Sequence, residues 1–241
     1  MTFDLSNPEV AASLIDHTLL KPEAVRSDIV QLCEEAGAFS FCSVCVNPYW
    51  VSVVSQILRG ASVRVSTVVG FPLGANDTGA KIAEADRALS QGAQELDMVQ
   101  NLGALRSQDL DFVREEIAAL SRLAHSRGAI LKVILETCLL SNEEKITACK
   151  LALEAQADFV KTSTGFSTRG ATVEDVRLMR KTVGPSMGVK ASGGIRTLDA
   201  LRDMVSAGAN RIGTSAGVSI LREIEGAHKI SAGTPAPRGA Y

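Results

Sequence analysis

The chain has 241 residues, 46% of them hydrophobic and 22% charged, with a formal net charge of −2. That much apolar side chain can bury a large core, and a balance so close to neutral excludes a polyanion-binding surface, so nucleic acid is not an expected partner. No apolar run approaches the ~18 residues of a membrane span, and Met1 to Leu14 carries two acids in place of a basic leader region, which predicts a cytoplasmic protein without a membrane partner.

Taken in chain order, a short N-terminal helical segment leads into SLIDHTLL, the first stretch with strand character. FSFCSVCV, SVRVSTVVG, QELDMVQN, AILKVILET, DFVKTST, MGVKAS and NRIGTS follow, each β-branched and apolar and each separated from the next by helical periodicity. Pro22 and Pro48 suit first-turn positions, Asn76 and Asn142 suit N-caps, and Gly37, Gly60, Gly92, Gly128, Gly184 and Gly208 suit helix ends. Eight βα units with no break in composition predict an α/β fold, a single TIM (β/α)8 barrel over residues 1–225. An open doubly wound sheet would carry a GxGxxG after its first strand, and SLIDHTLL is followed by none. Residues 226–241, rich in Gly, Pro and Ala, read as a flexible tail outside the barrel.

The five cysteines are odd in number and fall within predicted elements or at their ends, as packed thiols do. Cys42 and Cys45 form a CxxC, but inside a strand residues three apart face opposite sides, and no second CxxC exists. His17, His125 and His228 lack the spacing of a zinc site. Neither a metal nor another cofactor is expected.

The chemistry lies in the lysines of DFVKTSTGF and MGVKASGGIR. Lysine is among the residues least often buried, yet Lys161 and Lys190 sit near the ends of consecutive strands that should be covered on both faces. Strand alternation puts Lys161 inside the barrel with Phe159 and Ser163, and Val160 and Thr162 outside. The same parity turns Asp16, Arg64, Glu95, Asp97, Lys132, Ile134, Glu136 and Lys190 inward, so four cations face four anions. A purely structural interior would be filled with branched aliphatics, because each desolvated charge costs several kcal/mol before pairing recovers it.

Two ammonium groups at matching depth on adjacent strands cannot both stay protonated cheaply, and a neutral buried amine is a nucleophile toward carbonyls. Asp97 is the carboxylate best placed to move protons, with Asp16 and Glu136 in reserve. Ser192, Gly193 and Gly194, and again Gly213, Thr214 and Ser215, precede helices after the last two strands, where barrels commonly hold phosphate; either stretch could instead be a tight turn.

LIDHTLL, LDMVQN, LKVILET, VKTSTGF, VKASGGIR and RIGTSAG, in this order, resemble the deoxyribose-phosphate aldolase family. The resemblance implies a metal-independent class I aldolase that cleaves 2-deoxy-D-ribose 5-phosphate to D-glyceraldehyde 3-phosphate and acetaldehyde. It implies Lys161 as the Schiff-base lysine, with Asp97 and Lys190 moving protons and tuning that amine. It also implies Asp16, Thr18 and Lys132 near the substrate, and Thr164, Gly165, Ser192, Gly193, Gly194, Gly213, Thr214 and Ser215 around the phosphate. Phe166 stands where some family members carry a phosphate-contacting lysine, so Arg169 or Arg196 could substitute, or backbone amides alone suffice. The terminal Tyr241 matches a family tyrosine that assists proton transfer, and Cys45 reads as a packed thiol near the aldehyde end. A homo-oligomer, dimer or tetramer, is the family's expectation. Another sugar-phosphate aldolase, a transaldolase, or a silent sugar-phosphate sensor would share parts of this pattern, but the full set of Asp97, Lys161 and Lys190 argues against the last.

Overall fold

The computed structural model describes residues 3–232. Eight parallel strands close into a barrel in sequence order: β1 (Ile15–Leu19), β2 (Ser43–Val46), β3 (Arg64–Val69), β4 (Glu95–Val99), β5 (Ile130–Ile134), β6 (Phe159–Lys161), β7 (Gly188–Ser192) and β8 (Arg211–Thr214). This is the TIM barrel expected from the pattern. Helix α1 (Pro8–Ala12) precedes β1 as the short N-terminal segment, and α2 (Arg26–Phe39), α3 (Val51–Ile57), α4 (Thr78–Ser90), α5 (Leu102–Arg106) and α6 (Leu110–Ser126) follow between the strands. The outer ring is completed by α7 (Asn142–Glu154), α8 (Val173–Val183), α9 (Leu198–Ala207) and α10 (Gly217–Ala232). The boundary expected at residues 225 and 226 falls inside α10, so the helical pattern outlasts the first glycine of the Gly-rich stretch.

Side-chain alternation builds the two layers. Leu96, Met98, Leu131, Val133, Val160, Val189 and Ile212 point outward and are wholly buried beneath the helices. Each such side chain contributes about 1.5–3 kcal/mol of transfer free energy. The inward face carries the charged set. Lys161 pairs in register with Lys190, and Asp97 with Lys132, so the sequence positions that alternation turns inward also share a depth.

Several helix boundaries differ from expectation for local reasons. Pro22 lies in the loop after β1, because α2 begins only at Arg26, where Asp28 accepts from the Val25 N–H at 3.0 Å. Gly37 is inside α2, which ends at Ser40 in the left-handed region (φ 53°). Asp77, not Asn76, caps α4 through a bond from the Ala80 N–H, and Ser141, not Asn142, caps α7 with reciprocal help from Glu144. In each case the capping side-chain oxygen stands on the residue just before the helix and reaches the third helical N–H, one position later than expected at α4 and one earlier at α7. Among the described residues no helix is long and apolar enough to cross a membrane.

Candidate active site

The inward charges form one continuous network. Lys132 Nζ lies 2.5 Å from Glu95 Oε2 and 2.8 Å from Asp97 Oδ1. Lys190 Nζ lies 2.5 Å from Asp16 Oδ2 and 2.8 Å from Asp97 Oδ2, and Lys161 Nζ donates to that same Asp97 oxygen at 2.7 Å. Arg211 closes the ring, its Nη1 at 2.7 Å from Asp16 Oδ1 and 2.9 Å from Glu95 Oε2. Ser43 donates to Asp16 at 2.7 Å.

Two expected members are replaced. Arg64 has inward parity but opens the barrel at the first position of β3; its side chain is 52% exposed and reaches Glu95 only at 3.4 Å. Alternation fixes which face a residue takes and says nothing of depth, and the interior cation is Arg211. Glu136 leaves the network because β5 ends at Ile134 and the chain then turns through a left-handed residue, Glu136 itself (φ 55°). Its carboxylate instead receives the Thr164 N–H at 3.3 Å and the Thr164 hydroxyl at 2.5 Å, tying down the loop after β6.

Electrostatics separates the paired lysines. Burial lowers the Lys161 pKa from its ordinary value, and the positive charge of Lys190 lowers it further, against the opposing pull of Asp97. Burial acts on Lys190 in the same sense, but Asp16 and Asp97 outweigh it and raise that pKa, so Lys190 keeps its proton. Burial would raise both aspartates, yet the surrounding cations outweigh it: Lys132, Lys161 and Lys190 hold Asp97 well below the usual carboxylate range, and Lys190, Lys132 and Arg211 do so for Asp16. Of the two causes that lower Lys161, loss of water is the larger and the neighbouring cation the smaller.

A cavity of about 270 Å³ opens over Lys161 at the C-terminal end of the barrel. Thr18, Thr164, Gly165, Ser192, Gly193, Gly194, Gly213, Thr214 and Ser215 line it, so these residues expected at the substrate and phosphate ends are gathered there. Asp16, Asp97, Lys132 and Lys190 lie in the network beneath.

Most of the loop hydroxyls are already engaged. Thr164 donates to Glu136, Ser192 donates to the Ser163 carbonyl at 2.7 Å, and Thr214 donates to the Ile195 carbonyl at 2.6 Å. These bonds fasten neighbouring loops together. Among the described residues no protein acceptor meets the backbone N–H of Gly193, Gly194 or Ser215, and the two glycines turn through φ 87° and 83°. The cations beside these amides are Arg196 and Lys21, while Arg169 is not among the lining residues. Lys21 was invisible to strand reasoning because it sits one loop residue beyond the run SLIDHTLL. Gly213 has a second duty, since a Cβ there would lie 3.0 Å from both Lys190 Cε and Ser192 Cβ and would press on the lysine.

A small apolar cluster adjoins the cavity through Leu20 and Phe166. Leu20, Cys45 and Val68 pack together with Phe71, whose ring meets the edge of Phe166 with centroids 5.2 Å apart. Burial, with Asp97 second, pushes the Cys45 thiol up, so it packs as a neutral group. Tyr241 lies outside the described residues.

Comparison with known proteins matches this architecture. A family model described as DeoC/LacD family aldolase covers residues 10–225. The deoxyribose-phosphate aldolase of Thermococcus kodakarensis is 58% identical over 92% of this chain and 98% of its own length. That of Brevibacillus brevis is 59% identical over 86% of this chain and 93% of its own. Among solved structures, the tetrameric deoxyribose phosphate aldolase from Aeropyrum pernix superimposes with a TM-score of 0.85 at 38% identity, covering 91% of this chain and 92% of that one. With its barrel, its buried lysines and these relatives in agreement, the chain belongs to the DeoC/LacD family of aldolases.

Proposed function

We propose that this aldolase cleaves 2-deoxy-D-ribose 5-phosphate reversibly to D-glyceraldehyde 3-phosphate and acetaldehyde through a Schiff base on Lys161. One observation carries the reading. The interior network holds three carboxylates, Asp16, Glu95 and Asp97, against four bases, Lys132, Lys161, Lys190 and Arg211, and charge balance leaves one base neutral. Lys132, Lys190 and Arg211 each meet two or more carboxylates, whereas Lys161 meets only Asp97. The amine that faces the cavity is the one that loses its proton.

The neutral amine adds to the aldehyde carbon C1 of the open-chain sugar, and loss of water from the carbinolamine gives an iminium. The iminium withdraws the electron pair of the C2–C3 bond as the C3 hydroxyl loses its proton. D-glyceraldehyde 3-phosphate departs and leaves an enamine, which is protonated at C2 and hydrolysed to acetaldehyde. Asp97 Oδ2 accepts from both Lys161 and Lys190, so a single ionised oxygen is placed to balance the positive charge that appears on the Lys161 nitrogen in the iminium. The charged Lys190 and Lys132 keep Asp97 ionised while the nitrogen of Lys161 changes its charge.

Backbone N–H groups of Gly193, Gly194 and Ser215, with Arg196 and Lys21, are the proposed holders of the phosphate where Phe166 supplies no charge. Asp16 then acts through Lys190 and Arg211, and Thr18 stands at the cavity wall. Self-assembly into a homo-oligomer is part of the proposal, supported by the tetrameric relative, and sedimentation of the full chain checks it.

Borohydride added with acetaldehyde should leave a reduced adduct on Lys161; an adduct mapped to Lys190 or Lys132 would reverse the assignment. Faster turnover of a 2-hydroxylated pentose phosphate than of the 2-deoxy sugar would move the substrate elsewhere in the family.

A further inference from the structure

The loop after β6 returns to α8 by crossing the loop after β7, and the crossing is backbone against backbone. A Cβ built on Gly170 would overlap the Gly193 carbonyl group and stand 2.8 Å from its Cα, and a Cβ on Gly193 would stand 2.8 Å from the Gly170 Cα. Beside this contact, the Ala171 N–H is shared between the carbonyls of Ser192 and Gly193 at 3.0 and 3.1 Å. Gly170 is not in the left-handed region, so space alone demands a glycine there. Gly193, by contrast, carries both a positive φ and an N–H with no protein acceptor.

We propose that Gly170 is a positioning residue that fixes where the Gly193–Gly194 amides point, and thereby sets the selectivity of the site for a phosphorylated over an unphosphorylated sugar. The inference rests on the reading that these amides hold the phosphate. Gly170 does not line the cavity and has no contact with the Lys161–Asp97–Lys190 cluster, so its effect is confined to the anionic end of the substrate. Any side chain at position 170 pushes Gly193 away from its place, and a misplacement of ~1 Å in a ligand-orienting group can cost about a hundredfold.

The test is Gly170→Ala, assayed with 2-deoxyribose 5-phosphate and with unphosphorylated 2-deoxyribose. The expected result is a KM for the phosphorylated sugar raised about tenfold or more, with kcat, turnover of the unphosphorylated sugar and the pH profile of trapping on Lys161 unchanged. Retention of the parent's preference for the phosphorylated sugar, or equal loss with both sugars, would overturn the role of Gly170 alone. A parent chain that shows no such preference would instead overturn the phosphate reading and this inference with it. Should the variant not fold, hydrogen exchange in the unmodified chain decides. Inorganic phosphate should slow exchange at Ala171 together with Gly193 and Gly194, and slowing at the glycines without Ala171 would sink the proposal.

Discussion

Lys161 and Lys190 sit side by side in register, and one oxygen of Asp97 serves both, yet their proton affinities move in opposite directions. The difference lies in partners: Lys190 has Asp16 as well as Asp97, and Lys161 has Asp97 alone. Replacing Lys190 by leucine removes the cation that lowers Lys161 and frees Asp97 to hold the Lys161 proton more tightly, so both consequences raise the Lys161 pKa. Because the reactive form is the neutral amine, present above that pKa, the acidic limb of the rate profile should move to higher pH. Cyanoborohydride trapping of acetaldehyde on Lys161 as a function of pH measures this, with circular dichroism confirming the fold. An acidic limb that stays in place would show that burial alone sets the amine.

At the scale of elements, a second buried pair ties the helical layer to the strand that carries Asp97. Lys81 on α4 and Glu116 on α6 meet at 2.9 Å with both side chains wholly buried, and Lys81 also donates to the Val99 carbonyl at the end of β4. Burial pushes Lys81 down and Glu116 up, each toward its neutral form, which marks the pair as costly to desolvate. Lys81→Met or Glu116→Leu alone should cost about 3–5 kcal/mol, because each strands a buried charge, while the double variant should return to within about 1 kcal/mol of the parent. Urea unfolding of the four proteins checks this, and a double variant as unstable as the summed singles would contradict it. This pair was not legible in the sequence: Lys81 falls in an ordinary helical run, and only the packing of two helices reveals its partner. The strands were legible because parallel barrel strands repeat one apolar signature, and inward parity picked out Asp16, Glu95, Asp97, Lys132, Lys161 and Lys190 correctly. Arg211 was missed, although it stands two residues before Gly213 on the same strand, and Arg64 and Glu136 show that alternation fails at strand ends, where depth and turn geometry decide.

For the whole molecule, a charged barrel interior raises the question of what acid does first. Burial alone would raise Asp16 and Asp97, but the surrounding cations hold both below the ordinary 3.8. Their contribution to stability is thus complete above that ordinary value and is lost only as pH falls through the lowered folded values. Lys161 has the same slope in a different window: its folded pKa lies below the ordinary 10.5, so stability falls as pH drops from 10.5 to the folded value and is constant beneath it. Activity should therefore disappear on acidification, as Lys161 takes up its proton, in a range where the aspartates still hold the network together. As pH falls from the ordinary lysine value of 10.5 toward the ordinary aspartate value of 3.8, turnover should decline while the far-ultraviolet circular dichroism stays unchanged, with unfolding only in stronger acid. If the two curves coincide, protonating Lys161 has placed a charge in the barrel that three carboxylates cannot hold, and neutrality of that amine would be a condition for the fold as well as for the chemistry.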